Sequence, residues 1–403
     1  MSSIKVDEAR KIILEKIEVQ GTEKVPISEA LDRILSEDIV ARRNNPPMDN
    51  SAMDGYALIA NDIQSATPET PVTLDIIEDL AAGYSPEMLV KPGQAVRIMT
   101  GAPIPEGADA VIMQEDTERN GNRVQVKDKA EIRENIRDAG EDVREGETVI
   151  KKGADLLPAH IGMMAVVGRS SVLVGRRPSV AILSTGDEIM DLDDPLSGPC
   201  IYNSNGYMLA AQIKSAGGIP SYLGIARDNE EDLMEKFKWA LQCDMVVSSG
   251  GVSVGDYDLV KASLKKMGQE MLFWKVAMKP GKPLAFGRID DVPIFGLPGN
   301  PVSSFVSFEQ FVRPSIRKMM GATQLRHRSV QAKLTRTIHK KAGRQHFLSA
   351  YVQWENGACT VNPTQEQGSG ILKSTVNANG LLIFPLELTE MTEGTEVTVQ
   401  LLE

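Results

Sequence analysis

Cysteine, histidine and basic charge are scarce in this chain of 403 residues, and each scarcity excludes a class of protein. The three cysteines, Cys200, Cys243 and Cys359, lie far apart, so no CxxC pair or disulfide framework is present and a reducing compartment is expected. No two of the four histidines lie within about five residues of each other, which argues against a zinc site. The net charge of −11 argues against a general nucleic-acid-coating protein, because such proteins normally carry a basic excess.

Long apolar stretches are also missing. No uninterrupted run approaches the roughly 20 residues that a helix needs to span a bilayer. The first stretch, MSSIKVDEARKIILEK, places charges inside its apolar pattern, which is not the pattern of a signal peptide. We therefore expect a cytoplasmic protein that binds neither membranes nor nucleic acid, with length enough for roughly two to three domains.

Hydrophobic periodicity changes several times along the chain. Residues 4–19 have helical spacing, and a second short helix is expected after Pro26. From residue 48 to about 137, short β-type runs separated by Gly and Pro turns predict a small, mostly antiparallel β module. Strands alternate with helices over 178–320, which predicts a doubly wound, largely parallel sheet. Beyond Gly321, short β-type runs predict a small barrel or sandwich.

The most distinctive local segment is SSGGVSVGDYD at 248–258, between a buried-looking strand and a helix. Its glycines would let the backbone approach a phosphate, and the helix N-terminus would supply N–H donors. The segment contains neither the GKS/T of a P-loop nor a GxGxxG fingerprint. A tight turn with a helix cap therefore explains it about as well as a phosphate site does.

Three other segments also follow predicted strands of the doubly wound sheet. The acids of TGDE at 185–188 suit Mg²⁺, although a capped turn is the simpler interpretation. Three lysines in KVAMKPGKP at 275–283 suit phosphate or an oxyanion, although a solvated basic loop is the alternative. In GLPGNP at 296–301, Asn300 is expected to cap a helix whose first residue is Pro301.

All four segments are expected at the carboxyl edge of the sheet, where such folds bind ligands. Carboxylates for a metal and lysines for phosphate together suit a metal-assisted reaction on a phosphorylated or anhydride substrate. Outside this sheet, NSAMDGY at 50–56, RIMTGA at 97–102 and RDAGED at 137–142 are unusually patterned, although turn chemistry accounts for each of them. QGSG at 367–370 is expected to form a turn rather than an anion nest.

Taken in order along the whole chain, these segments resemble those of the MoeA family of molybdopterin molybdenumtransferases, to which the E domain of gephyrin also belongs. The segments that carry the resemblance are SAMDGYA, RIMTGAPIPEGADAVI, STGDE, SSGGVSVGDYD, MKPGKP and GLPGNPVSS. The resemblance implies a multidomain α/β plus β fold in four parts. These are an extended helical part (1–47 and 138–177), an inserted β module (48–137), a molybdopterin-binding α/β domain (178–325) and a C-terminal β domain (326–403).

The resemblance also implies an activity. Molybdate would be inserted at the dithiolene of adenylylated molybdopterin, the adenylyl phosphate bond hydrolysed and AMP released, with Mg²⁺ required. The enzyme would be an elongated homodimer, with each active cleft lying between the α/β domain of one subunit and the β module of the other. A transient contact with the molybdopterin adenylyltransferase is also expected.

Carried onto this sequence, the family's catalytic positions are Asp54, Thr100, Asp142, Glu188, Asp228, Asp258, Lys275 and Lys279. The implied substrate-binding positions are Ser249, Gly250, Gly251, Ser253, Lys282, Pro298, Asn300, Pro301, Arg344 and Ser369. Glu188, Asp228 and Asp258 would hold Mg²⁺, with Asp256 competing with Asp258 for the last role. Asp54, Thr100 and Asp142 would complete the cleft from the partner subunit.

Three alternatives remain open. A molybdopterin adenylyltransferase has a single domain that resembles residues 178–320, but it typically carries GGTG where this chain has GGVSVGDYD. A non-catalytic scaffold of the same fold is the second alternative, although it would not need the acids. A plain nucleotide or sugar-phosphate binder is the third.

Overall fold

The computed structural model describes residues 3–196, 198–227, 229–250, 259–355 and 357–402. The chain folds into two compact units. The first unit comprises residues 1–37, 152–157 and 171–403, and the second comprises 38–151 and 158–170. Among the described helices, none is both long enough and apolar enough to cross a bilayer.

A six-stranded sheet forms the centre of the first unit. Its strands in chain order are β1 (Ser179–Thr185), β2 (Ile219–Ala226), β3 (Met245–Ser249), β4 (Glu270–Lys275), β5 (Pro283–Ile289) and β6 (Val292–Leu297). Their spatial order is β2-β1-β3-β6-β5-β4, with β2, β1, β3 and β6 parallel and β5 antiparallel to both of its neighbours. The predicted doubly wound, largely parallel sheet is therefore confirmed, and residues 180–183 are fully buried, as expected for a strand covered on both faces.

Helices cover this sheet. The helices of the first unit are Val6–Lys16, Ser204–Ser215, Glu230–Ala240, Leu259–Lys266, Pro301–Ser307, Arg313–Met319 and the short Lys373–Val376. The sequence predicts one continuous helix over 301–319, but the structure has a π-helical segment at Phe308–Val312. Pro314 explains the interruption, because a proline cannot donate to a carbonyl of the preceding turn and its ring crowds that carbonyl.

The end of the chain forms a closed barrel, which is one of the two folds, barrel or sandwich, that the sequence predicts for this region. Its strands are Ser329–Leu334, Gln345–Glu355, Ala358–Pro363, Gly380–Phe384 and Glu396–Leu401. The barrel closes because Gln345–Glu355 pairs with both Ala358–Pro363 and Gly380–Phe384. The two-residue strand Met278–Lys279, from the connection between β4 and β5, extends this sheet by parallel pairing with Gln345 and His346.

The remaining strands of the first unit are short. Thr22–Pro26 pairs with Ser171–Gly175, Ile189–Met190 with Ile201–Tyr202, and Ile338–His339 with Glu390–Met391. The helix predicted after Pro26 is wrong, because only a 3₁₀ turn, Ile27–Glu29, forms there. Ile34 and Leu35 instead make β-bridges to Asp155 and Val174, so tertiary pairing overrides their helical spacing.

The second unit contains the predicted β module. Its main sheet has the strand order Ala110–Met113, Gly55–Leu58, Gln94–Ile98, Val72–Leu80, Arg123–Val126, Thr117–Asn120. Every pairing is antiparallel except that between Gln94–Ile98 and Val72–Leu80. Two small ribbons, Asn50–Ser51 with Ile136–Arg137 and Ile39–Val40 with Thr148–Ile150, flank the sheet, together with the 3₁₀ turns Ala60–Ile63 and Gln114–Asp116 and the helix Pro158–Val166.

Candidate active site

A cavity of about 790 Å³ opens at the carboxyl edge of the central sheet. Strand order reverses there, because the chain passes from β1 to β2 on one side and to β3 on the other. Parallel sheets bind ligands at this switch point because the loops on either side diverge. Residues from five chain segments line the cavity, namely 184–189, 201–205, Ser249 with Gly250, 298–301, and Gly370 with Leu372; Pro283 lines it as well.

Asn205 ties three of these segments together. It lies in the first turn of the helix Ser204–Ser215 and is 9% exposed. Its Nδ2 donates to Ser249 Oγ at 2.8 Å and to the Gly299 carbonyl at 2.7 Å. The cavity wall is therefore held by hydrogen bonds from one side chain and not by loop conformation alone.

Asn203 plays a similar part at the end of β1. Its Oδ1 caps the helix by accepting from the Gly206 amide, and also accepts from Ser184 Oγ, each at 3.0 Å. Its Nδ2 donates to the Tyr222 hydroxyl at 2.7 Å. Neither asparagine is among the site residues predicted from the sequence, although an Asn directly before a helical run is a cap signal that identifies Asn203.

Two buried polar atoms at the cavity lack hydrogen-bond partners among the described residues. Thr185 Oγ1 and Asn205 Oδ1 are buried and have no hydrogen-bond partner among the residues that the structure describes. Gly250 lies beside them with φ of +94°, and a Cβ there would meet the Thr185 carbonyl at 2.6 Å. Buried polar atoms normally have partners, so these atoms are suited to a polar ligand.

Of the three predicted metal ligands, Glu188 lies in the described part of the chain and lines the cavity. Its carboxylate folds back over Gly186, where a Cβ would lie 2.5 Å from Oε2. Asp228 and Asp258 lie outside the described residues, as do Gly251, Ser253 and the competing Asp256. Among the described residues, no three His, Cys, Asp or Glu side chains are grouped to hold a metal ion. A single carboxylate in this polar cavity nevertheless fits Mg²⁺, which typically takes one or two carboxylates plus substrate phosphates.

The GLPGNP loop lines the cavity with Pro298, Asn300 and Pro301. Asn300 occupies the N-cap position and Pro301 is the first residue of the helix, as predicted, but the Asn300 side chain makes no capping hydrogen bond. Its Nδ2 instead donates to Ser369 Oγ at 3.3 Å, while the Ser369 carbonyl accepts from the Val302 amide at 3.0 Å. The turn expected at 367–370 therefore joins the rim of the cavity, and it brings the predicted Ser369 to Asn300.

The three predicted lysines lie at the same sheet edge. Lys275 ends β4 rather than lying in a loop, and the exposed Lys279 pairs in register with His346. Within the described residues, none of Lys275, Lys279 and the exposed Lys282 lines the cavity itself. The pKa of His346 falls to about 4 because of its burial, with the charges of Lys340, Lys279 and Arg344 adding to the effect. Lys279 and the predicted Arg344 therefore belong to one basic cluster.

Asp54, Thr100 and Asp142 lie in the second unit. The exposed Asp54 carboxylate accepts from the Thr100 amide and from Thr100 Oγ1, both at 2.7 Å. These two bonds lower the pKa of Asp54, the backbone bond most strongly. Asp142 accepts from Asn45 Nδ2 at 2.9 Å, so its hydrogen bond holds a different loop.

These features define a class of protein. A doubly wound sheet with a glycine-lined polar cavity at its switch point is the architecture of an α/β protein that binds a phosphate-bearing ligand. Three family models match the chain: "MoeA N-terminal region (domain I and II)" over residues 4–168, "Probable molybdopterin binding domain" over 181–318 and "MoeA C-terminal region (domain IV)" over 331–402. The chain belongs to the MoeA family, and the resemblance found in the sequence is confirmed.

Relatives of known name and a solved structure match the chain along almost its full length. The chain is 38% identical over 402 residues to the molybdopterin molybdenumtransferase of Haemophilus influenzae, and 37% identical over 400 residues to molybdopterin molybdenumtransferase 2 of Mycobacterium tuberculosis. Each match covers 98% of both chains. The crystal structure of the molybdopterin biosynthesis MoeA protein from Pyrococcus horikoshii OT3 covers 100% of both chains, with a TM-score of 0.86 and 34% identity.

Proposed function

We propose that this chain inserts molybdenum during the biosynthesis of the molybdenum cofactor, as a molybdopterin molybdenumtransferase. Molybdate enters at the dithiolene of adenylylated molybdopterin, the adenylyl phosphate bond is hydrolysed, and AMP leaves. The observation that carries this proposal is the polar cavity at the switch point, in a chain that matches molybdopterin molybdenumtransferases over almost its entire length.

The cavity supports a role in holding the pterin phosphate. Gly250 has no Cβ, so its backbone can approach a phosphate, and Ser249 Oγ and Thr185 Oγ1 supply hydroxyls beside it. Gly251 and Ser253 would extend this donor set, and Pro298, Asn300 and Pro301 shape the opposite wall. At the same sheet edge, the cations Lys275, Lys279 and Lys282, with Arg344 from the cluster around His346, would offset the charge of phosphate or molybdate. The Ser369 hydroxyl at the rim would donate a hydrogen bond to the same substrate.

Glu188 would hold Mg²⁺ together with Asp228 and Asp258. Bound Mg²⁺ would neutralise charge that develops on the phosphate oxygens. The Glu188 carboxylate provides oxygen ligands at the mouth of the cavity, because it is exposed and folded over Gly186.

We further propose a homodimer in which Asp54, Thr100 and Asp142 of one subunit complete the cleft of the other. The supporting observation is that Asp54 is exposed and yet fixed by two hydrogen bonds, as a group aimed at a ligand would be. A transient contact with the molybdopterin adenylyltransferase, and a cytoplasmic location, fit this role.

Release of AMP from adenylylated molybdopterin, measured with and without molybdate and Mg²⁺, tests the proposed reaction. Release should require both ions. A Glu188→Gln variant should lose most of the activity, whereas Glu235→Gln, on the exposed face of the helix Glu230–Ala240, should keep it. Release that is independent of molybdate would contradict the proposal.

The adenylyltransferase alternative has its own test. Incubation with ATP and molybdopterin should leave the pterin unmodified if the proposal is right. Transfer of AMP to the pterin would favour the alternative. A scaffold of the same fold would show neither reaction.

A further inference from the structure

One atom at the cavity of the first unit cannot be partnered by a phosphate. Asn205 lines this cavity, and its Oδ1 is buried without a hydrogen-bond partner among the residues that the structure describes. A buried carbonyl oxygen without a partner is destabilising, so its place in a binding cavity points to a donor that the ligand supplies. The oxygens of an ionised phosphate are acceptors, as Oδ1 is, so a different part of the ligand must meet Asn205.

The other hydrogen bonds of Asn205 fix the orientation of its amide. Nδ2 lies 2.7 Å from the Gly299 carbonyl oxygen and 2.8 Å from Ser249 Oγ. A carbonyl oxygen only accepts hydrogen bonds, so a flipped amide would set two acceptors against each other at Gly299. Asn205 therefore presents an acceptor to the ligand, and it cannot present a donor while these bonds are kept.

The second buried atom without a described partner, Thr185 Oγ1, does not have this restriction. A hydroxyl rotates, so Thr185 can donate to a phosphate oxygen or accept from another group. Asn205 Oδ1 accepts only. Of the two atoms, Asn205 Oδ1 is therefore the one that can discriminate between ligand groups.

Apolar side chains line the same cavity beside these polar atoms. They are Ile189, Ile201, Tyr202, Pro298, Pro301 and Leu372. Ile201 is 57% exposed and Tyr202 is 42% exposed, so both offer uncovered surface to the faces of a flat ring. A sugar hydroxyl could also donate to Asn205, but it would leave this apolar surface uncovered. A flat heterocycle with an N–H donor on its edge therefore fits the cavity best.

We propose that Asn205 is a specificity-determining residue, and that its Oδ1 accepts a hydrogen bond from the amino group on the edge of the pterin ring. A pterin carries this amino group beside a ring N–H, and its flat faces match the apolar lining. The identity of the ring as a pterin rests on the proposed function, whereas the need for a donor rests on the geometry of Asn205. The phosphate of the same ligand lies beside Gly250 and Thr185.

Two compounds that differ in one group test this hydrogen bond. Pterin-6-carboxylate carries an amino group where lumazine-6-carboxylate carries an oxygen. Equilibrium dialysis against the full-length chain should show binding of the pterin that is tighter by about tenfold or more, because the lumazine oxygen would face the Asn205 acceptor. Equal affinities, or no binding of pterin-6-carboxylate at millimolar concentration, overturn the proposal. This comparison uses the unmodified chain, so it decides the question whether or not a variant folds.

Substitution of Asn205 separates recognition from general loosening of the cavity. Asn205→Ala removes the acceptor together with the bonds to Ser249 and Gly299, so the affinities for both compounds should fall. The ratio of the two affinities is the informative quantity, and it should fall to about one because the discriminating group is gone. A ratio equal to that of the unmodified chain would assign the preference to another residue and overturn the proposal.

Two control variants should keep the preference for the pterin. Thr185→Val removes a cavity hydroxyl, so it should weaken the binding of both compounds and leave their ratio unchanged. Asn379→Ala removes an asparagine that makes two hydrogen bonds to Val352 in the barrel, and it should also leave the ratio unchanged. A ratio that falls in either variant as far as in Asn205→Ala contradicts the role of Asn205.

None of these measurements requires turnover, so this proposal and the proposed reaction fail separately. A preference for the pterin together with AMP release that is independent of molybdate would keep the role of Asn205 and remove the reaction. Molybdate-dependent release together with equal affinity for the two compounds would keep the reaction and remove the role of Asn205.

Discussion

Gly250 occupies a backbone conformation that other residues adopt only with strain. A substitution at Gly250 would therefore be destabilising for two reasons. The φ of +94° strains the backbone of any other residue, and a Cβ would collide with Thr185. Gly268 has φ of +85° with nothing within 4 Å of its would-be Cβ, so only the first reason applies there. A comparison of substitutions at these two glycines therefore separates the effect of filling the space beside Thr185 from the effect of backbone strain.

Gly250→Ala should lose molybdopterin binding, whereas Gly268→Ala should keep it. Both substitutions should destabilise the fold by about 1 kcal/mol or more through backbone strain. Urea unfolding gives the stability, and equilibrium dialysis gives the affinity. Equal affinity of the two variants for molybdopterin would show that the Thr185–Gly250 contact does not shape the site.

The hydrogen bonds of Thr100 govern the titration of Asp54. Because its pKa is lowered in the folded protein, the pair stabilises the fold at pH above the ordinary carboxyl value of about 4, and this contribution is lost as pH falls through the lowered value. Thr100→Val removes the hydroxyl donor and should raise the pKa of Asp54. Thr100→Ser keeps that donor and should leave the pKa low. Carboxyl NMR titration measures both, and identical titration of Asp54 in the two variants would contradict this account.

At the scale of secondary-structure elements, the sequence predicts the strands and helices that follow from a local hydrophobic pattern. It does not predict those that depend on contacts between residues far apart in the chain. The apolar run that became β1 and the alternation that became the central sheet are local patterns, and both were confirmed. The helix predicted after Pro26 is wrong because Ile34 and Leu35 form β-bridges to residues more than 100 positions away. The π-helical segment before Arg313 has a local signal in the sequence, because Pro314 comes directly after Arg313.

The same distinction holds for the site. Glycine, acid and asparagine motifs in the sequence predict Glu188, Gly250 and Asn300 as site residues, and all three line the cavity. The Asp54–Thr100 bonds, between residues 46 positions apart, depend on strand register, which no local pattern determines. Asn205 was missed for a related reason, since its partners lie on two other loops.

Asn205→Ala should weaken ligand binding by separating the first turn of Ser204–Ser215 from the loops after β3 and β6. The loss of two buried hydrogen bonds should cost about 1–3 kcal/mol. Asn379→Ala is a matched control, because Asn379 also makes two hydrogen bonds, to the Val352 amide and carbonyl in the barrel. Both variants should be destabilised in urea, but only Asn205→Ala should lose affinity for molybdopterin. Loss of affinity in both would point to general loosening of the fold.

At the scale of the whole molecule, the proposed sharing of each active site between two subunits makes a quantitative prediction. Asp54→Asn and Glu188→Gln should each be inactive alone, because each removes one carboxylate from every cleft. Unfolding and refolding an equimolar mixture should restore about a quarter of the original activity, since half of the dimers are mixed and each of those has one intact cleft. No recovery in a mixture shown by mass spectrometry to contain mixed dimers would place both carboxylates in the same chain's site.

The strand Met278–Lys279 has a consequence for how this protein could be divided or recombined. Two residues from the sheet connection complete hydrogen bonds that the barrel strand Gln345–Glu355 would otherwise leave open. If the barrel were transferred to another protein without this connection, the backbone groups of Gln345 and His346 that pair with Met278–Lys279 would lose their partners. Division of the chain between the sheet connection and the barrel is therefore expected to break this pairing.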